Sequence, residues 1–275
     1  MAKVSLAQIK KLRQETNVGI VEVKKALDAA KGDDKKAMDI LREKGAKQAR
    51  AKSGNKTENG LVKIATKGNV AVIVEVNSES DTLPSDSKFQ GLVKLIADLL
   101  VKKQPADVNS ALKLPTKEGT LKDSINHITQ ITHENINLKR FKIVKKADDD
   151  HFGAYVHNGG QIASLVVIKG ADDEVAGNVS MHIAAMNPEY LKPSDISQDR
   201  IDHEKSVLEK EAQNSGKPAK IVKMIVKGRL NKKLSQICLS DQQFVMNSDQ
   251  TVAKYVASNH GQLKSFVRYQ VGEEA

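Results

Sequence analysis

Ser80, Asp81 and Thr82 stand directly behind the apolar run NVAVIVEV, inside the polar stretch NSESDTLPSDSKF (77–89). Two hydroxyls and a carboxylate at the end of a strand can ligate a cation, orient a water or meet a polar partner. The same residue types also build ordinary turns, because Ser, Asp and Pro each favour them for local backbone reasons. Glu75, Glu79, Asp81 and Asp86 add the carboxylates that a divalent cation seeks. They are spread over a strand and its turn, which suits a shared coordination sphere poorly. No metal site is expected.

Other chemistry is sparse. No GxxxxGK[ST] run offers a phosphate loop, and neither GxGxxG nor HExxH occurs. The glycine pair of HNGGQ, after His157, is of a kind that hairpin turns use routinely. The seven histidines fall singly, and the one cysteine, Cys238 in QICLS, has no partner for an internal disulfide. It reads as a small buried hydrophobe and not as a nucleophile. Aromatics make up 3% of the chain, too few and too scattered to stack bases. No catalytic residue and no cofactor is expected; the pattern favours a protein that works by contacting another macromolecule.

The elements that hold the turn follow from periodicity. LVKIAT, KGN and VAVIVEVN predict a hairpin before it, and a helix from about Ser87 to Lys103 follows it. Residues 105–134 read as mostly helical with a break at Pro115, and NLKRFKIVKK closes the unit as a strand. The order then recurs: FGAYVH and QIASLVVIKG form a second hairpin, DDEVAGNVSMHIAAM a second helix, and QLKSFVRYQV a last strand. Leu138, Lys139 and Phe141 of one closing strand recur at the same offsets as Leu263, Lys264 and Phe266 of the other. A duplicated α+β unit is predicted.

Ahead of it, residues 1–54 predict three helices. Leu6, Ile9 and Leu12 form one stripe, Ile20, Val23 and Leu27 the next, and Ala37, Ile40 and Leu41 the third. Gly19 and Gly32 mark the breaks, Asp33 caps the third helix, and KGAKQARAKSGNKTENG reads as a basic helix tail entering a flexible linker. Between the second helix and the last strand, residues 197–236 predict an inserted helical hairpin broken at NSGKP, with Gly216 as a C-cap and Pro218 as a helix starter. Ile201, Val207 and Leu208 stripe its first arm, and Ile221, Met224, Ile225 and Leu230 its second. The predicted fold is α+β: a three-helix domain at 1–54, a first core subdomain at 55–146, and a second at 147–275 that carries the hairpin.

Composition sets the limits. The chain has 275 residues, long enough for two domains of ordinary size, and with 39% apolar and 28% charged residues its composition fits a globular protein. No apolar run approaches a membrane span, and the start, MAKVSLAQIKKLRQE, lacks the apolar core of a secretory signal. With a lone cysteine, these features point to the cytoplasm. The net charge is +10, of which residues 1–54 carry +7 through 14 Lys and Arg against 7 Asp and Glu. A basic nucleic-acid-binding protein with a helical head is one reading of that asymmetry, a module for an acidic protein surface is another, and a solvated lysine-rich helix face is the third.

Longer motifs carry a resemblance. Thr16, Gly19, Ile20, Val21 and the run Lys24–Leu27, then Gly32 and Asp33, then Lys44, Gly45 and Ala49, match the N-terminal signature of the elongation factor Ts family. The likeness runs on through YVHNGGQIASLVVIKGAD, MHIAAMNPEYLKPSDI, GKPAKIVKMIVKGRLNK, QQFVMNSDQTVAKYV and RYQVGE, nearly the full length. That family's fold implies a ubiquitin-associated-like head on a core of two antiparallel-sheet and helix subdomains. Its activity implies binding to elongation factor Tu, both GDP-bound and nucleotide-free, and exchange of GDP for GTP through the magnesium and phosphate site. No membrane and no direct nucleic acid are implied as partners. Contacts carried over by the resemblance are Arg13, Ile20 and Val21 in the head, Ser80, Asp81, Thr82, Leu83 and Pro84 in the turn, and His157 in the second hairpin. The family turn reads Thr-Asp-Phe-Val-Ala, whereas here it is Ser-Asp-Thr-Leu-Pro (80–84). The acid matches and the central Phe does not, so Leu83 is expected to supply part of the apolar wedge, with Pro84 stiffening the turn.

Overall fold

The computed structural model describes residues 4–213 and 219–274. It is a mixed fold of helices and antiparallel hairpins that divides into two compact units. The first runs to Val144 and takes in Asn158–Gln161 and the chain from Tyr269 onward. The second is Lys145–His157 with Ile162–Arg268.

In the first unit three helices come first, α1 (Leu6–Thr16), α2 (Ile20–Ala29) and α3 (Asp34–Lys52). Each start has a local cause. Ser5 and Gln8 form a reciprocal capping box on α1, Gly19 precedes α2, and the Asp33 carboxylate accepts from Lys36 N–H on α3. Ile9, Leu12, Val23, Ala26, Leu27, Ala37 and Leu41 close a small core. Two expectations fail here. Leu6 and Ile20, expected on the buried stripes, are 76% and 48% exposed. The basic tail is helical as expected: α3 runs on through Lys52, and its buried Gly45 lies against Gln130, where a Cβ would come within 2.8 Å of the amide oxygen.

The first sheet follows. β1 (Asn59–Lys67) and β2 (Val70–Ser78) pair antiparallel, and β5 (Ile136–Lys145) lies on the other side of β2. Between them stand α4 (Ser87–Lys103), α5 (Val108–Leu112), the two-residue strands β3 (Pro115–Thr116) and β4 (Gly119–Thr120), and α6 (Leu121–Thr132). Val72, Val74 and Val76 pack on Phe89, Leu92, Val93, Ile96 and Leu100 of α4. Every β2 residue from Ala71 to Ser78 is buried, so the strand reads apolar on both faces as far as Val76, with one charged exception before it ends on the polar pair Asn77 and Ser78. Glu75, with no exposure, takes Arg140 Nε of β5 at 2.6 Å and the Gly272 N–H at 3.1 Å, with Lys139 Nζ 3.8 Å away. The Arg140 guanidinium also lies 4.2 Å over the Tyr269 ring.

The second unit holds β6 (Asp150–His157) and β7 (Ile162–Lys169), paired antiparallel, with β10 (Gln262–Gln270) beside β7. Its helix α7 (Asp173–Met186) approaches the sheet closely because small residues meet there. Ser164 and Ser180 exchange hydroxyl-to-carbonyl bonds at 2.6 and 2.9 Å, and a Cβ on Gly153 would sit 1.9 Å from the Ala176 carbonyl. The arms α8 (Gln198–Gln213) and α9 (Ala219–Ile237) meet through Leu208, Ala212 and Val226, with Val222 and Leu230 beside them. Ile221 and Met224, expected on that stripe, are exposed, because the seam follows Val222, Val226 and Leu230 at four-residue intervals. Gly216 and Pro218 lie outside the described residues. Sequence periodicity missed β8 (Gln243–Phe244), β9 (Asn247–Thr251) and α10 (Val252–Ser258), all too short to show a period. No described helix is long and apolar enough to cross a membrane.

Two buried groups give measurable consequences. Removing one member of a buried, hydrogen-bonded ion pair leaves the other charge stranded, which typically costs about 3–5 kcal/mol. Arg140→Ala should therefore destabilise the chain by about 3 kcal/mol in urea unfolding, and a loss near zero would show that water reaches Glu75 freely. In the second unit His182 accepts the Val245 N–H at Nδ1 (3.1 Å) and so presents Nε2–H to Gln242 Oε1 (2.9 Å). Burial holds its pKa below the ordinary 6.5, as burial also does for His127 of α6. As the pH falls through 6.5 the unfolded chain gains protons that the folded imidazoles refuse, so stability complete above that pH declines below it. The His182 imidazole should titrate below 6.5 by NMR; a midpoint at or above that value contradicts the buried neutral state.

Candidate functional site: an acidic tip on a buried turn

β2 delivers the chain out of the core at Ser78, and the next eight residues decide what faces solvent. Glu79 and Ser80 are half-buried, Asp81 and Thr82 exposed, and a 3-10 turn at Leu83–Ser85 then folds back. Asp86 is the N-cap of α4 and accepts from the backbone N–H groups of Lys88 (2.7 Å) and Phe89 (3.2 Å). Pro84 occupies the start of the 3-10 turn, where a missing N–H costs nothing.

Leu83 departs from expectation. It is 6% exposed and packs in the first unit's core with Val76, Phe89 and Leu92, so it cannot project as an apolar wedge. Pro84 is buried beside it. The core is responsible: Leu83 turns inward to cover Val76 and Phe89, which leaves Asp81 and Thr82 outward. The tip is thus polar, made of Asp81 and Thr82 alone.

Ser80 is held from below. Its N–H donates to Glu134 Oε2 at 2.9 Å and its hydroxyl to Glu134 Oε1 at 2.7 Å. Ser80 Oγ also receives Leu83 N–H at 3.2 Å and lies 3.0 Å from Thr82 Oγ1. Glu79 accepts the Asn135 N–H at 2.5 Å, with Lys52 Nζ at 3.7 Å. A hydrogen bond with Asn55 leads the interactions that lower the Glu79 pKa, followed by the Asn135 N–H and Lys52. Three of the four carboxylates weighed for a cation are therefore engaged separately, Glu75 with Arg140, Glu79 with Asn135 and Asp86 with the α4 N-terminus, and the fourth, Asp81, is on the exposed tip. Among the described residues no group of three or more His, Cys, Asp or Glu could hold a metal ion.

The remaining predicted residues are also exposed. Arg13 lies on α1, and Ile20 and Val21 open α2 with Val21 61% exposed, because Val23, Ala26 and Leu27 take the core positions. His157 ends β6 at the surface of the second unit, its Nδ1 3.2 Å from the Tyr155 hydroxyl. The structure adds two residues that sequence reasoning did not single out. Val245 and Met246, on the turn between β8 and β9, are 48% and 58% exposed, and the Val245 N–H is held by His182. An apolar pair in an otherwise polar turn was the available signal. Cys238, by contrast, is buried, and burial pushes its thiol up to about 11, which suits an inert packing residue.

Comparison with known proteins agrees with the motifs. The family model described as "Elongation factor TS" matches residues 79–273. Elongation factor Ts of Limosilactobacillus reuteri is 52% identical over 273 residues, covering 99% of this chain and 94% of that protein. The Lactiplantibacillus plantarum protein of the same name is 52% identical and that of Pediococcus pentosaceus 49%, each with the same shares covered. With its turn, head and second hairpin matched along nearly its whole length, the chain belongs to the elongation factor Ts family.

Proposed function

We propose that the chain is a translation elongation factor that binds elongation factor Tu, GDP-bound and nucleotide-free, and promotes exchange of GDP for GTP. The observation that carries this reading is the exposed Asp81–Thr82 tip on a turn whose flanks are buried and hydrogen-bonded. A rigidly aimed carboxylate can displace the water network of a magnesium ion in a partner, and the metal's hold on the phosphates weakens with it. No bond is made or broken in such a process, so no catalytic residue is required of this chain. The thermodynamics is linkage: the factor loosens GDP only by as much as it prefers the nucleotide-free partner, and GDP weakens the factor's binding in return.

The exposed apolar residues support a protein partner. Ile20 and Val21 in the head, and Val245 and Met246 in the second unit, present surface that a packed interface would cover. His157 contributes a polar contact in the same reading. A nucleic-acid role for the basic head is not favoured. Several of its cations are already engaged, Lys11 with Asp34 (3.2 Å), Lys44 with Glu22 (2.5 Å) and Arg42 with Asp39 (3.7 Å).

Release of a fluorescent GDP from elongation factor Tu, followed at catalytic amounts of this chain, tests the proposal directly. The wild-type chain should accelerate release, and no acceleration would overturn the reading. Asp81→Ala should slow release by about tenfold while melting as wild type does, the size expected when one charged contact made during expulsion is lost. Leu83→Ala should behave oppositely: as a buried truncation it should cost about 2–4 kcal/mol of stability and leave the folded fraction active. In the head, Val21→Glu should raise the concentration needed for half-maximal release without lowering the melting temperature. Equal losses for Asp81→Ala and Leu83→Ala, both without destabilisation, would mean that the tip is not polar.

A further inference from the structure

We propose that Glu134 is a positioning residue for exchange: its carboxylate clamps Ser80 and thereby aims the Asp81–Thr82 tip. This rests on the exchange-factor reading above. β2 ends at Ser78, so the ladder no longer satisfies the backbone two residues on. The connector between α6 and β5 fills that role. His133 ends α6 in the left-handed region (φ +58°), which turns the chain so that Glu134 and Asn135 face the turn after β2. Both Glu134 oxygens then go to one residue, Oε2 to the Ser80 N–H at 2.9 Å and Oε1 to its hydroxyl at 2.7 Å. The Asn135 N–H returns a bond of 2.5 Å to the Glu79 carboxylate. Two neighbouring residues on each side thus exchange carboxylate-to-backbone bonds, and charge-assisted bonds of this kind are the stronger ones.

The clamp propagates to the tip through one hydroxyl. A serine has one proton to give and two lone pairs to receive. Here Ser80 gives its proton to Glu134, receives the Leu83 N–H at 3.2 Å, and meets the Thr82 hydroxyl at 3.0 Å, which must then be the donor. Thr82 is held by this chain of bonds and Asp81 sits between two fixed residues. Stability does not depend on the clamp in the same degree, because buried Leu83 and Pro84 already anchor the far side of the turn. Loss of Glu134 should free the tip and leave the unit folded.

The test uses the full chain and two readouts. Stopped-flow release of fluorescent GDP from elongation factor Tu, measured against chain concentration, separates maximal rate from half-saturation. Glu134→Ala should lower the maximal rate by about tenfold with little change in half-saturation, as expected when a charge-assisted bond no longer holds the productive geometry. Glu134→Gln, which keeps one acceptor oxygen, should recover part of the rate. Ser80→Ala added to Glu134→Ala should cost little more than Glu134→Ala alone, since both break one network. On the chain alone, amide hydrogen exchange across residues 79–83 should speed up in Glu134→Ala while that of β2 stays protected. Unchanged amide exchange there overturns the clamp, whatever the nucleotide assay reports. A Glu134→Ala chain that keeps the wild-type maximal rate, or loses it only in step with a lost folded fraction, overturns its role in exchange. If the wild-type chain itself leaves GDP release unaltered, the exchange reading fails, and the amide measurement still decides the clamp.

Discussion

A carboxylate without solvent exposure, Glu75 in the middle of β2, is the constraint on which the first unit is arranged. A charge so placed is tolerated only when paired and hydrogen-bonded, so its partners cannot be chosen freely. Arg140 must come from β5, and the Gly272 N–H from the chain that follows β10. One side chain therefore ties the central strand, its neighbour and the C-terminal tail. It also specifies register. A one-residue slip of β2 against β5 would turn Glu75 into the valine layer on α4 and strand Arg140.

The tip is the outlet of that fixed strand. Asp81 stands six positions after Glu75, and the chain passes from full burial to solvent within three residues of the strand's end at Ser78. Under the proposed exchange reading, rigidity at this point has a physical use. A factor that acts by preferring one state of its partner spends binding free energy on geometry, and a mobile tip would lose that energy to its own ordering. The polar character of the tip follows from the core. Leu83 is needed to cover Val76 and Phe89, so the family's aromatic at the preceding position has no apolar replacement on the outer face. The outer face there offers a carboxylate and a hydroxyl.

Elsewhere the molecule uses small residues where close approach matters and longer apolar ones where area matters. Gly153, Ala176, Ser164 and Ser180 let α7 lie against its sheet, and the serines satisfy each other so that no hydroxyl is left unpaired at the contact. In the helical hairpin the seam is narrow, and Glu204 is buried beside Arg200 (3.3 Å) and Lys233. The Lys233 hydrogen bond, with Arg200 adding to it, keeps the Glu204 pKa below its usual range. Two arms with so small a shared core rely on such polar bonds for alignment.

Much was legible from sequence. The valine-rich β2, the helix Ser87–Lys103, the two hairpins and the Asp33 cap follow from period and local hydrogen bonding, which act over a few residues. So did the position of the turn, because an apolar strand meeting Ser, Asp and Pro must leave the core. Tertiary structure alone decided which side of that turn faces out. Leu83 and Thr82 are adjacent and either could have been the exposed one; the vacancy beside Val76 and Phe89 chose Leu83 for the core. The same holds for Leu6 and Ile20, whose helical spacing suited burial but whose three-helix core was already filled by Ile9, Leu12, Val23 and Leu27. Glu134 stands 54 residues from Ser80 and looks like one more charged residue at a helix end. Periodicity reports which residues share a face and says nothing of which distant backbone N–H that face will meet, since that depends on how separate segments pack.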